Sequence, residues 1–85
     1  MNSIFYRVNK KGQYKNYMDG SYVEMKKASD ELIARATARG FKKIRRTSGS
    51  CGIILTYSDG KTDVELVYVA FDSEREWLRF YNRQS

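Results

Sequence analysis

Hydrophobic and polar residues alternate at the start of the chain. Ile4, Tyr6 and Val8 are separated by more polar neighbours, and this period of two is typical of a β-strand. Residues 9–12, Asn-Lys-Lys-Gly, then predict a tight turn, and residues 13–18 predict a weaker strand that returns beside the first. The opening segment is therefore expected to form a β-hairpin.

A helical period follows the hairpin. Its apolar residues recur at the spacing of one helix face: Met25, Ala28, Leu32, Ile33 and Ala36. Arg39 would lie in the last turn, where a cation meets the carbonyl end of the helix dipole, and Gly40 suits the C-terminal cap. The pattern predicts a helix that ends at about residue 39.

Two start points are open for this helix. Asp19-Gly20 is a turn signal, and Ser21 stands three residues before Glu24, which is the spacing of a capping box. Ser29, followed by two acidic residues, offers a later N-terminus that would leave the preceding residues extended. The sequence does not choose between them.

Three strands are predicted after the helix. The first covers residues 41–47, the second residues 51–57, and Asp59-Gly60 predicts a hairpin turn to the third at residues 64–71. The third strand is apolar on both faces, which indicates a central position in its sheet. Cys51 alternates with apolar residues of the second strand, so we interpret it as a small buried side chain rather than a nucleophile.

A second helix is predicted at the end of the chain. Ser73 and Glu76 have capping-box spacing, and an apolar stripe follows at Trp77, Leu78, Phe80 and Tyr81. The short connections favour an antiparallel sheet. We therefore expect one α+β domain over residues 1–85: a two-layer fold with three to five antiparallel strands and two helices on one face.

The order helix, three strands, helix resembles that of double-stranded-RNA-binding domains in topology. Such domains carry a lysine-rich motif at the start of their last helix. The corresponding segment here, residues 72–76, is Asp-Ser-Glu-Arg-Glu and therefore acidic. We assign the chain to no family on this resemblance.

The amino-acid composition limits which disulfide, catalytic and metal-binding chemistry the chain can have. The chain has 85 residues, one cysteine and no histidine, which excludes an intrachain disulfide, imidazole catalysis and the usual zinc ligand sets. Asp63 and Glu65 would share a strand face and could hold a hard cation, but we interpret them as a solvated strand end. We expect a non-enzymatic protein without metal or cofactor. The absence of a signal-peptide pattern or a long apolar run favours a cytoplasmic location away from membranes.

The net charge is +6, and its distribution is uneven. No acidic residue occurs between Leu32 and Ser58, where six cations lie, while acids such as Asp59 and Asp63 collect elsewhere. Strand alternation would place Lys43 and Arg45 on one face, and Lys42 and Arg46 on the other. The run is typical either of a charged edge strand that resists aggregation or of a phosphate-binding surface.

The leading hypothesis is nucleic-acid binding through phosphates. Its candidate residues are Arg35, Arg39, Lys42, Lys43, Arg45 and Arg46, supported by Lys10, Lys11 and Lys15. The alternative is an interaction module or inhibitor that docks on an acidic protein surface through tyrosines expected to be exposed, namely Tyr14, Tyr17 and Tyr22. DNA or RNA, single or double strand, and the oligomeric state stay open.

Overall fold

A computed structural model describes residues 2–48 and 52–69 of the chain. Its elements are β1 (Asn2–Val8), β2 (Lys15–Gly20), α1 (Tyr22–Ala38), β3 (Lys42–Ser48), β4 (Gly52–Ser58) and β5 (Asp63–Val69). The second predicted helix and Cys51 lie outside the described residues, so both stay predictions.

The strands form one antiparallel sheet in the order β2-β1-β5-β4-β3. This confirms the predicted α+β class, the antiparallel sheet and the central position of β5. Among the described elements, α1 packs on one face of the sheet, and we call this face the helix side. The opposite face is called the open face, because no described helix lies on it.

The start of α1 is determined by a complete capping box. The Ser21 Oγ accepts a hydrogen bond from the Glu24 backbone N–H (3.2 Å), and a Glu24 carboxylate oxygen accepts one from the Ser21 backbone N–H (3.1 Å). These bonds satisfy N–H groups that have no partner inside the helix. The earlier of the two start points is therefore confirmed. Arg39 is the C-terminal cap, and Gly40, which was predicted to be the cap, follows it with φ of +88°.

The first residues of the β4–β5 turn and the β1–β2 turn, Asp59 and Asn9, each make side-chain hydrogen bonds to the backbone. The Asp59 Oδ1 accepts hydrogen bonds from the backbone N–H groups of Lys61 (2.9 Å) and Thr62 (2.7 Å). Asn9, in the β1–β2 turn, exchanges two bonds with Asp63: its N–H donates to the Asp63 carbonyl (2.7 Å), and its Oδ1 accepts from the Asp63 N–H (2.9 Å). The second pair ties the β1–β2 turn to the start of β5.

The core lies between α1 and the helix side of the sheet. Its buried apolar residues are Ile4, Tyr22, Met25, Ile53, Leu55, Tyr57, Leu66 and Tyr68. Ser29, the alternative helix start, lies instead in the middle of α1 and is fully buried, with its hydroxyl 2.8 Å from that of Tyr68. This hydrogen bond offsets the cost of burying two hydroxyl groups.

Candidate nucleic-acid interface

Strand register brings several basic segments to one end of the sheet. Val8 pairs with Val64, Ser58 pairs with Asp63, and Lys42 pairs with Ser58. The β1–β2 turn, the β4–β5 turn and the start of β3 therefore share this end. The helix α1 also ends there, because only three residues separate Ala38 from Lys42.

We call this region the cationic end. It is defined by six exposed side chains: Lys10, Lys11, Lys15, Arg39, Lys42 and Lys61. Neighbouring strands are about 4.8 Å apart, so the five strands span roughly 19 Å from β2 to β3. One strand of B-DNA carries a phosphate about every 3.4 Å along the helix axis, so this width matches about five to six nucleotides.

Lys61 was missed by sequence reasoning. It lies between Asp59 and Asp63 and so reads as part of an acidic segment. These two acids are separate from the basic segment in sequence but not in the fold, because both carboxylates occur at the cationic end. The Asp59 carboxylate, however, is turned onto its own hairpin backbone, and these hydrogen bonds lower its pKa.

A β-bulge changes which cations of β3 share a face. The register shifts between Lys43 and Arg45, so Lys42 and Arg45 lie on the open face, opposite Ser58 and Thr56. Lys43 and Arg46 lie on the helix side instead. The face pairs predicted from simple alternation are wrong because Ile44, the extra residue, resets the alternation.

The six candidate cations of α1, its C-terminal cap and β3 consequently do not form one band on a single face. Arg35 lies over the helix side and donates a hydrogen bond to the Tyr17 hydroxyl (2.8 Å), towards β2. Arg46 is half-buried on the helix side of β3, whereas Arg45 is exposed on the open face. The fold instead brings Lys10, Lys11 and Lys15 together with Arg39 and Lys42 at the cationic end.

The open face carries two side-chain rows that cross the sheet. The first row is Phe5, Val67, Ile54 and Thr47, and the second is Arg7, Glu65, Thr56 and Arg45. Phe5, Val67 and Ile54 are partly exposed, in contrast to the fully buried Leu55 on the helix side. The centre of the open face is therefore a partly exposed apolar patch, and its neighbours in the second row are the buried Thr56 and Glu65 and the exposed Arg45.

A cluster of three side chains occupies one side of the second row. Arg7 and Glu65 form an ion pair (Nη2–Oε1, 2.8 Å), and the Tyr14 hydroxyl donates to the other Glu65 oxygen (2.9 Å). The Arg7 guanidinium carbon is 4.3 Å from the centre of the Tyr14 ring, a cation–π contact. Glu65 is thus a buried ion-pair partner, and its interpretation as part of a solvated strand end is wrong.

Acidification is expected to destabilise the wild-type protein more than a Glu65→Gln variant. Burial alone would raise the pKa of Glu65, but the hydrogen bonds from Arg7 and Tyr14 outweigh it and lower the pKa below its ordinary value. The stability that this carboxylate contributes is present above its ordinary pKa and is lost as the pH falls through the lowered folded-state pKa.

Urea unfolding of both proteins between about pH 6 and about pH 3 measures this effect. The difference in free energy of unfolding between wild type and variant should shrink as the pH falls. Because other carboxylates titrate equally in the two proteins, the variant serves as the control for their contribution. A difference that stays constant over this range would contradict the assigned role of Glu65.

The tyrosines of the alternative hypothesis divide into two groups. Tyr14 and Tyr17 are 37% and 39% exposed, whereas Tyr22 is buried in the core. The expectation that Tyr22 is exposed is wrong, because Ser21 caps the helix and Tyr22 enters its first turn three residues before the buried Met25. Tyr22 is therefore removed as a candidate anchor for a partner.

Comparison with known proteins gives no match: no family model, curated protein or solved structure matches the chain. Residues 2–48 and 52–69 contain no group of three or more His, Cys, Asp or Glu side chains that could hold a metal ion. Over the same residues, no helix has the length and apolar character needed to cross a membrane.

Proposed function

We propose that this protein is a non-enzymatic accessory protein that binds nucleic acid mainly through phosphate contacts at the cationic end. One observation carries the proposal. Segments far apart in sequence, namely the β1–β2 turn, the end of α1 with the start of β3, and the β4–β5 turn, all present exposed cations at the same end of the sheet.

The exposure of these cations, and their lack of salt bridges among the described residues, support phosphate binding. Among the described residues, none of the six forms a salt bridge with a carboxylate, whereas Arg7, further from the end, is neutralised by Glu65. Exposed lysines on turns are flexible point charges that can follow successive phosphates without reading a base sequence. Protection of the β3 edge alone would not require cations on the two turns.

The proposal is tested by fluorescence anisotropy titration of labelled DNA and RNA over a series of salt concentrations. About four phosphate contacts should give a slope of log affinity against log salt near −3.6 for duplex DNA and near −2.8 for a single strand. Oligonucleotides of unrelated sequence should bind with similar affinity. An affinity that does not change with salt, or no binding at low salt, would contradict the proposal.

A further inference from the structure

We infer that the preferred ligand is single-stranded nucleic acid, whose bases stack on the open face while its phosphates contact the cationic end and β3. This inference rests on the proposed function and names its substrate class. It is based on a second part of the molecule, the open face, which phosphate contacts at the cationic end do not involve.

Phe5 provides the first stacking surface. It lies on β1 beside the central strand β5, and its row continues through Val67 and Ile54, all three partly exposed. Phe5 lies in the middle of a sheet face on which no described helix packs, and part of its apolar area is left hydrated. The flat face of a base can cover this patch.

Tyr14 provides a second ring, which lies against Arg7 in the second row of the open face. Its hydroxyl is bonded to Glu65 and one side of its ring faces the Arg7 guanidinium, so the orientation of the ring is held in the absence of ligand. Arg7 is two residues from Phe5 on β1, which places the two rows about 7 Å apart. Bases of an extended strand can therefore meet both rings at low entropic cost.

Cations on the same face complement the phosphates of such a strand. Arg45 lies in the row of Arg7, three strand spacings or roughly 14 Å away, and Lys42 continues the line towards the cationic end. Both side chains are exposed. The apolar patch is thus bordered by positive charge on the side that leads to the cationic end.

A duplex fits this surface poorly. Its base faces are covered by their neighbours in the stack, so it can offer the open face only phosphates and groove edges. A single strand offers both phosphates and free base faces. The open face therefore discriminates between the two forms, whereas the cationic end alone would bind both.

The test compares a labelled 12-nucleotide single strand with the 12-base-pair duplex of the same sequence, by anisotropy at one salt concentration. We expect the single strand to bind about tenfold more tightly than the duplex, and Phe5→Leu to weaken single-strand binding about tenfold while leaving duplex binding unchanged. Tyr6→Leu is the matched control, because it removes a ring from the adjacent position of β1 on the helix side.

The outcomes separate this inference from the proposed function. Salt-dependent binding that is equal for both forms and unaffected by Phe5→Leu would overturn the inference and leave the proposed function standing. Absence of salt-dependent binding to either form would overturn both. If thermal melting shows that Phe5→Leu is unfolded, Tyr14→Leu decides instead: this exposed position should show the same selective loss, and unchanged single-strand affinity would overturn the inference.

Discussion

Lys11→Glu combined with Lys42→Glu is expected to weaken nucleic-acid binding about a hundredfold near 0.1 M salt. For duplex DNA, each phosphate contact contributes roughly 0.9 of a decade in affinity at that concentration through counterion release, so losing two costs about 60-fold, and repulsion by the new carboxylates adds to it. The two lysines come from different segments, the β1–β2 turn and the start of β3. A titration at several salt concentrations should also give a shallower slope.

The matched control is Lys26→Glu with Lys27→Glu. Both lysines are exposed on α1, and Lys26 is 12 residues before Ala38, or about 18 Å along the helix axis from the cationic end. The control changes the net charge by the same amount, so it isolates position from total charge. Equal losses in the two double variants would mean that net charge alone attracts the ligand and that the cationic end is not a site.

The parts of this fold that could be predicted are those encoded within a few residues. The capping box of Ser21 and Glu24, the turn at Asp59-Gly60 and the helix stop at Gly40 each depend on contacts inside one turn, and all three occur. The central position of β5 was also predictable, because a strand with apolar residues on both faces needs neighbours on both sides.

The errors arise where distant segments determine the outcome. The bulge at Ile44 is a property of the pairing between β3 and β4, so it cannot be predicted from the pattern within β3 alone. It changed which of the β3 cations share a face. Tyr22 and Ser29 are buried because of where α1 lies on the sheet, and Ser29 finds its partner in Tyr68, on β5. Local secondary-structure propensity predicts neither the burial of these two residues nor the hydrogen bond between Ser29 and Tyr68.

The candidate site likewise has some features that the local sequence predicts and others that depend on contacts between distant segments. Lysines 10, 11 and 42 could be selected from sequence as exposed cations, but their grouping depends on register across β1, β5, β4 and β3. Lys61 joins them only through this register. The open face could not be predicted at all, since alternation shows that β4 has two faces without showing which one α1 covers.

The difference between the two sheet faces has a direct energetic consequence at two adjacent residues of β4. Leu55→Ala is expected to lower the free energy of unfolding by about 3 kcal/mol, because Leu55 is fully buried on the helix side and its removal leaves a cavity. Ile54→Ala, one position earlier on the partly exposed open face, should cost only about 1 kcal/mol.

Urea unfolding of both variants measures these costs, and the comparison is controlled by their shared strand, similar side-chain volume and identical replacement. A loss of about 3 kcal/mol at both positions would mean that the open face is fully covered in solution, since only a buried cavity costs that much. In that case a nucleic-acid strand could not reach Phe5, and stacking on this face would be contradicted independently of any binding experiment. An unequal loss in the expected direction would show that Ile54 is less buried than Leu55 and would leave the patch of Phe5, Ile54 and Val67 available to a ligand.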